Sequence, residues 1–436
     1  MRPEKVFKRY DIRGEYPEGL DEEFAEKLGK ALGKFTRENF SRRIVVCRDN
    51  KESSESLKQS LIDGLESSGM KIFDIGEGPT DYAAYLGKKH GCVSVQITSS
   101  HMPLNFNGFK FMYPEGNGFV NEDLDQVKQN FRDENFVEDD GLVREMTSTS
   151  MQRYKDNLKM TAMRNSSATV DKKIVVDTMG GATRKVLPDL LDNLGATVID
   201  VGEDKEEAPY RDPPNPKPEN LDELVETFEE EDADLGLATD MDGDRVTVYY
   251  DGEFLSGDDV FCIVGQLVGG DSVASIDTSG ALEDMLDERG NGVFYTRVGD
   301  PFVMDKALEE NVDFAGEPNG HYSVLDFVPY NSGTLAALMI AGTDIDQKLE
   351  QMPFYSVKRD SVDVEDKEST MSSIRESIDD SHIVSELDGL KASFGYAEVL
   401  MRPSGSSDKI RVISEARDED TAQAGLEEAV DMIRNS

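Results

Sequence analysis

This sequence predicts an α/β fold: three related mixed α/β domains in tandem, followed by a smaller α+β C-terminal domain. Three observations predict it. A β-branched strand running into a polar turn occurs three times, as Ile44-Val45-Val46-Cys47-Arg48-Asp49, Ile174-Val175-Val176-Asp177 and Val273-Ala274-Ser275-Ile276-Asp277. Each is followed by apolar residues at helical spacing, such as Leu57, Leu61 and Leu65, up to Gly69, Gly195 or Gly290, each placed like the glycine that ends a helix. A second strand then runs into glycine, at 72–76, 198–202 and 293–299. Strand, helix, parallel strand is the βαβ unit, and three units of about 100 to 150 residues plus a smaller one suit a chain of 436.

Ahead of the first unit, Asp21 is placed to cap a helix over 22–37 whose Phe24, Leu28, Leu32 and Phe35 share one face. The pattern puts domain I at 1–149, domain II at 150–251 and domain III at 252–350. Domain IV, 351–436, follows Met352-Pro353 and opens with a charged, Ser-rich stretch over 361–380 that suits a hinge. Beyond it, 390–394, 397–401 and 410–413 read as strands and 421–433 as an amphipathic helix.

Acidic residues outnumber basic ones 89 to 47, a formal net charge of −42. They are spread along the whole chain, so the charge belongs to a surface and not to a tail. Such a field opposes binding to nucleic acid or anionic membranes. In dilute buffer it also destabilises the fold by self-repulsion, which leads us to expect adaptation to the molar cytoplasmic salt of a halophile. An acidic calcium buffer would carry clustered Asp/Glu repeats, and the sequence has none. No apolar run approaches the roughly 20 residues that span a bilayer. Met1-Arg2-Pro3-Glu4-Lys5 lacks the apolar stretch of a signal peptide. Cys47, Cys92 and Cys262 lie far apart in apolar surroundings and read as buried thiols of a cytoplasmic protein.

Five short motifs carry chemistry. Ser100 and His101, in Thr98-Ser99-Ser100-His101-Met102-Pro103, stand just past the alternating strand 93–97, and strand ends are where α/β sheets bind ligands. Pro103 and Asn107-Gly108 keep the chain in turns, which predicts an exposed Ser100; a Ser/Thr turn capping the strand is the alternative. No G-x-S-x-G elbow surrounds it, which disfavours a hydrolase triad. In Asp240-Met241-Asp242-Gly243-Asp244-Arg245, between strand-like 235–238 and 246–250, three carboxylates at alternate positions are able to converge on one hard cation, and Mg²⁺ suits them. An EF-hand needs Gly where Arg245 stands and a helix where a strand follows; a solvated acidic turn is the other reading. Gly316-Glu317-Pro318-Asn319-Gly320-His321 offers groups suited to sugar hydroxyls, or is a plain surface turn. Arg402-Pro403-Ser404-Gly405-Ser406-Ser407, with Arg411 in the next strand, is by composition a phosphate nest or else a Ser-rich hairpin. Tyr10-Asp11-Ile12-Arg13-Gly14 is a structural segment or, with Arg13 just before a glycine, one that suits a phosphate or phosphoserine contact.

In their order and domain plan these motifs resemble the α-D-phosphohexomutase superfamily, which contains phosphomannomutases, phosphoglucomutases and phosphoglucosamine mutases. The resemblance covers essentially the whole chain. The family's T-A-S-H-N-P signature matches 98–103, its N-G-x-K element matches Asn107-Gly108-Phe109-Lys110, and its D-x-D-x-D-R loop matches 240–245. Its sugar loop G-E-x-S-G-H matches 316–321, and its phosphate loop R-P-S-G-T matches 402–406. The resemblance implies a hexose-phosphate mutase with its active site in the central cleft, acting on small sugar phosphates as a monomer or homodimer. It implies phosphoserine at Ser100, with His101, Lys110, Arg13 and Arg245 in the catalytic set and Lys110 as acid/base. Ser100, Asp240, Asp242 and Asp244 would hold Mg²⁺. Glu317, Asn319, His321, Arg402, Ser404, Gly405, Ser406 and Arg411 would bind substrate, and a hexose 1,6-bisphosphate would serve as activator and intermediate. Ser99, Met102, Asn319, Ser407 and Asp408 depart from the family pattern. The segment Thr296-Arg297-Val298-Gly299-Asp300 looks more like phosphoglucosamine and archaeal mutases than like bacterial phosphomannomutases, which carry K-T-G-H there. Two other functions fit parts of the chain: a phosphatase using Asp240 in a D-x-D-G motif, and a non-catalytic sugar-phosphate sensor.

Overall fold

A computed structural model describes residues 5–203, 205, 208–404 and 407–436. The first sheet holds β1 (Ile12–Glu15), β2 (Arg43–Arg48), β3 (Lys71–Glu77), β4 (Val93–Ile97), β5 (Phe106–Met112) and β6 (Leu142–Glu145), in the order β1-β5-β4-β2-β3-β6. The second holds β7 (Lys173–Asp177), β8 (Thr197–Asp200), β9 (Leu235–Thr239), β10 (Val246–Tyr250) and β11 (Glu253–Phe254), in the order β11-β10-β9-β7-β8. In the third, β12 (Ser272–Ser275), β13 (Val293–Thr296), β14 (Phe314–Glu317) and β15 (His321–Val324) lie in the order β13-β12-β14-β15. The fourth is antiparallel throughout. It takes β16 (Ser356–Asp363), β17 (Ile383–Ser385), β18 (Leu390–Phe394), β19 (Ala397–Pro403) and β20 (Lys409–Ala416), in the order β16-β20-β19-β18-β17.

One four-strand pattern recurs in the first three sheets. β2, β7 and β12 each lie between two parallel neighbours: β3 and β4, β8 and β9, β13 and β14. The later neighbour then turns back into an antiparallel strand, β5, β10 or β15. Successive side chains of a strand point to opposite faces, and all-apolar strands therefore feed two cores. Ile44 and Val46 face one cluster while Val45 and Cys47 face another; Val175 parts in the same way from Ile174 and Val176, and Val273 from Ala274. One face of each of these three sheets enters a single shared core that includes Val45, Tyr154, Val176, Leu237, Phe261 and Leu338. The helix Gly333–Ala341, buried at every residue, belongs to it. The outer faces are covered by helices of their own unit: Glu22–Asn39 and Glu52–Ser67, then Asp222–Glu231, then Asp300–Glu310.

Local signals hold where the sequence placed them. Asp21 accepts from the Phe24 N–H at 2.8 Å, and Gly69, Gly195 and Gly290 have φ of +75°, +103° and +76°. The two outer helices of the first unit meet glycine to glycine. A Cβ at Gly64 would lie 2.0 Å from the Glu26 carbonyl oxygen, and one at Gly29 would lie 2.3 Å from that of Leu61.

Two expectations change. Most of the stretch 361–380 is not a hinge but part of the fourth unit: β16 pairs with β20 along its length, and the helix Lys367–Ser377 follows, capped by Asp366. An edge strand and a one-sided helix need few apolar anchors, here Val362 and Ile374. The second sheet also runs past residue 251, because β11 pairs with the end of β10. The fourth unit has its own core, with Val399, Met401, Val412 and Ile433. It meets the third through polar contacts: Arg359 to Asp258 at 2.8 Å, the Gly280 N–H to Glu415 at 3.0 Å, and the Tyr355 hydroxyl to Asp284 at 2.9 Å. The three cysteines are buried. Among the described residues, no helix is long and apolar enough to cross a membrane.

Candidate active site

The return hairpins of the three repeats carry three of the motifs. Ser100 lies between β4 and β5, the aspartates lie between β9 and β10, and Glu317 to His321 join β14 to β15. Because the hairpin has the same place in each unit, motifs remote in sequence converge. Ser100 Oγ donates to Asp240 Oδ2 at 2.7 Å, and His321 Nε2 lies 3.4 Å from Asp244 Oδ1.

Ser100 is 2% exposed, whereas its turn residues predict exposure; the aspartate loop of the next unit packs against it. Its φ of +52° is left-handed, and its N–H bonds Thr98 Oγ1 at 2.9 Å. His101 Nδ1 stands 3.3 Å from Ser100 Oγ. Burial, together with Arg245 and Arg13 nearby, pushes that imidazole down to about 2, so it is neutral.

The aspartate loop is clamped from three sides. Thr80 of the first unit gives its N–H to the Asp242 carbonyl at 2.9 Å and its hydroxyl to the Asp242 carboxylate at 2.7 Å. The Ala182 N–H reaches the Met241 carbonyl at 2.7 Å, and the Gly333 N–H of the third unit reaches that of Gly243 at 3.0 Å. Lys110 Nζ lies 2.6 Å from Oδ2 of both Asp242 and Asp244. Burial, with Asp244 and Asp242 beside it, pushes Asp240 well above the usual carboxylate range. Burial acts the same way on Asp244, but Lys110 and His321 outweigh it and hold that group well below. Asp240, Asp242 and Asp244 present oxygens within 4.8 Å of one another, and Asp242 Oδ1 and Asp244 Oδ1 are buried without a hydrogen-bond partner. Orphaned carboxylate oxygens converging in a hard-donor set fit Mg²⁺.

In the sugar loop, His321 Nε2 lies 3.1 Å from Arg245 Nε while Nδ1 lies 3.0 Å from Asp300 Oδ1. Glu317 accepts from the Gly299 N–H at 2.8 Å and from Asn319 Nδ2 at 3.3 Å, and burial pushes it up to about 7. Tyr10, Arg13, Lys110, Arg245, Glu317 and His321 line a cavity of about 240 Å³. Asn319 also borders a second cavity of about 540 Å³, lined by Arg359, Arg402, Lys409 and Arg411. Arg402 and Arg411 sit directly opposite each other on β19 and β20. Like charges so placed repel, and the carboxylates near Arg402 stand off at 3.7 Å (Asp388) and 3.9 Å (Asp277). An anion between the two arginines would relieve that repulsion. The Ser404 N–H donates to the Lys409 carbonyl at 2.8 Å. Gly405 and Ser406, the centre of the expected nest, lie outside the described residues.

Sequence reasoning missed Thr80, Asp300, Arg359 and Lys409. Lys409 alternates with Arg411 on one strand and was readable from that spacing. Thr80 and Arg359 arrive through contacts between remote segments, which no local pattern signals.

Residues 4–138, 151–253 and 256–352 match the family models for phosphoglucomutase/phosphomannomutase, alpha/beta/alpha domains I, II and III. A phosphoglucomutase/phosphomannomutase of Thermococcus kodakarensis is 31% identical over 99% of this chain and 99% of its own. A probable phosphoglucosamine mutase of Methanopyrus kandleri is also 31% identical, over 99% and 98%. Two solved structures share the fold. A phosphoglucomutase/phosphomannomutase family protein of Burkholderia thailandensis has a TM-score of 0.86 at 22% identity, covering 99% of this chain and 96% of its own. An Aspergillus fumigatus N-acetylphosphoglucosamine mutase, solved with GlcNAc-6P and magnesium, has a TM-score of 0.56 at 14% identity, covering 82% and 93%. The chain belongs to the phosphoglucomutase/phosphomannomutase family of the phosphohexomutase superfamily.

Proposed function

We propose that this enzyme interconverts hexose 1-phosphate and hexose 6-phosphate, the hexose being glucose, mannose or glucosamine. It does so through phosphoserine at Ser100 and a hexose 1,6-bisphosphate intermediate. One observation carries the reading: Ser100 Oγ lies 2.7 Å from Asp240 in a buried three-carboxylate loop. Asp240, Asp242 and Asp244 would hold Mg²⁺, which when bound supplies positive charge to the oxygens of the transferring phosphoryl group; the magnesium of the fungal relative supports that choice.

Arg402, Arg411 and the turn from Ser404 through Gly405 and Ser406 grip the phosphate already on the sugar, while Glu317, Asn319 and His321 take its ring hydroxyls. The free hydroxyl oxygen attacks phosphorus in line, and its O–P bond forms as the bond from Ser100 Oγ breaks. Arg13 and Arg245 offset charge on the group in transit. We assign the proton relay to Lys110, which gives a proton to Ser100 Oγ and takes the one lost by the hydroxyl. The bisphosphate then turns, and transfer of its other phosphoryl group restores phosphoserine. The fourth unit, with a separate core and polar docking contacts, opens for that turn and closes against water.

We take the units as 1–149, 150–254, 255–350 and 351–436, a division supported by one sheet falling in each. The spread of acidic residues along the chain supports adaptation to molar cytoplasmic salt.

The test is phosphorus NMR in molar KCl with Mg²⁺ and catalytic hexose 1,6-bisphosphate, supplying glucose, mannose and glucosamine 1-phosphates in turn. Conversion to the 6-phosphate, lost on Ser100→Ala, is expected. Release of free phosphate, or turnover that survives Ser100→Ala, would overturn the reading.

A further inference from the structure

Lys51 stands immediately before the helix Glu52–Ser67, at its N-cap, with extended backbone and no capping bond from its side chain. The position is unfavourable twice over. A cation sits badly at the positive end of a helix dipole, and an ammonium is costly to bury, yet Lys51 is 2% exposed. Burial pulls its pKa down, against the pull of Asp49 and Asp242. Among the described residues, no carboxylate lies within ion-pair distance of Nζ.

What surrounds Nζ is the Ser100 loop. It reaches Ser99 Oγ at 2.6 Å and the carbonyl oxygens of Met102 at 3.0 Å, Pro103 at 3.2 Å and Phe106 at 3.1 Å. An ammonium has three N–H donors, here shared among four oxygens that bracket Ser100 on both sides. Ser99 Oγ passes its own hydrogen to the Phe106 carbonyl at 2.9 Å. Ser99 stands where the family signature has Ala, so this departure supplies the ammonium's one side-chain acceptor. The enclosed residue, Ser100, has the left-handed φ of +52° that L-residues avoid.

We infer that Lys51 is a positioning residue for phosphoryl transfer: the Ser100 loop is wrapped around its ammonium, which fixes the serine and lends the loop positive charge. The inference rests on the phosphoserine reading. A phosphoserine brings between one and two further negative charges beside Asp240. With no carboxylate among the described residues in direct contact, the ammonium adds positive potential that helps offset them, although the nearby Asp49 and Asp242 already draw on part of it. Lys51 acts through the loop and touches neither substrate nor the reacting atoms.

Lys51→Met, Lys51→Arg and Ser99→Ala test this in the full chain. Circular dichroism checks folding, steady-state assays give kcat and KM, and a single-turnover assay follows transfer from phosphorylated enzyme to whichever hexose phosphate the wild type converts. For Lys51→Met the expected result is kcat lower by about 100-fold with KM within about threefold, and Lys51→Arg recovering about tenfold of that loss. Ser99→Ala, which removes one of four acceptors, slows the single turnover by about three- to tenfold. A folded Lys51→Met enzyme with kcat within about threefold of wild type overturns the inference, as does a loss that Lys51→Arg leaves untouched. Should Lys51→Met fail to fold, an unchanged single-turnover rate in Ser99→Ala overturns it and a slowed one supports it. A wild type without phosphoserine or mutase activity sinks the earlier reading and this one together, whereas an active wild type with an indifferent Lys51→Met sinks this one alone.

Discussion

Replacing Lys110 by Met removes an ammonium 2.6 Å from carboxylate oxygens of both Asp242 and Asp244, in a place where Lys110 is 9% exposed. With an effective dielectric of about 20, each contact at that separation amounts to roughly 6 kcal/mol of Coulomb attraction before desolvation is counted. Breaking a buried pair by deleting one partner costs about 3–5 kcal/mol once the abandoned charges relax or take up protons. The loss is therefore large in EDTA, and Mg²⁺ repairs much of it. A cation present at about 100 times its dissociation constant returns about 2.7 kcal/mol, and it binds more tightly to a site that has lost its resident ammonium. The assay is urea unfolding of wild type and variant, each with EDTA and with excess Mg²⁺. The variant unfolds at lower urea in EDTA and shifts further than wild type on adding Mg²⁺. A variant as stable as wild type in EDTA, or one whose Mg²⁺ shift is no larger, would refute the claim that the ammonium neutralises a cation site.

Arg402→Ala takes away one of two facing guanidiniums and raises KM for the sugar phosphate about 10- to 100-fold with a smaller change in kcat, read by initial rates. Gly64→Ala drives a Cβ to 2.0 Å from the Glu26 carbonyl and lowers stability by about 3 kcal/mol in denaturant titration. Asp81 accepts from Tyr154 and Ser332 in full burial, which pushes it up to about 7. Between its unfolded value and about 7 the folded state therefore holds the extra proton, and stability falls as pH rises through that window, by at most about 4 kcal/mol. Asp81→Asn mimics the protonated form, so it gains on wild type between pH 5 and pH 8 in paired unfolding curves; no gain would sink the assignment. Raising KCl from about 0.1 to about 2 M screens the surface charge and raises the unfolding temperature, and a fall would contradict the reading of the charge of −42.

The repeat was legible because strand alternation and helix-ending glycines are local. The strands β2 and β3, β7 and β8, and β12 and β13, Asp21 as a cap and the last helix all follow from spacing in the sequence. The helix Gly333–Ala341 was not legible: buried on every side, it has no polar face and hence no helical period to read. The hinge expected over 361–380 failed because an edge strand and a one-sided helix look hydrophilic in isolation. Within the site, residue types singled out Ser100 and the aspartates, which the fold brings to 2.7 Å of each other. The burial of Ser100 follows from packing against another unit, and the roles given to Thr80 and Lys51 come from bonds across many residues. Lys51 was invisible for a further reason: a lysine before a helix reads as surface.

Ribosomes release a chain from its first residue onward, and the aspartate loop takes its clamps from both directions along it. Thr80 is made 162 residues before its partner Asp242, while Gly333, which holds Gly243, emerges well after the loop. A nascent chain that has not reached Gly333 carries three mutually repelling carboxylates on a strand end with one wall missing. If the aspartates hold Mg²⁺ as proposed, the complete site awaits the third unit, whose Gly333 supplies the last of the described backbone clamps on the loop.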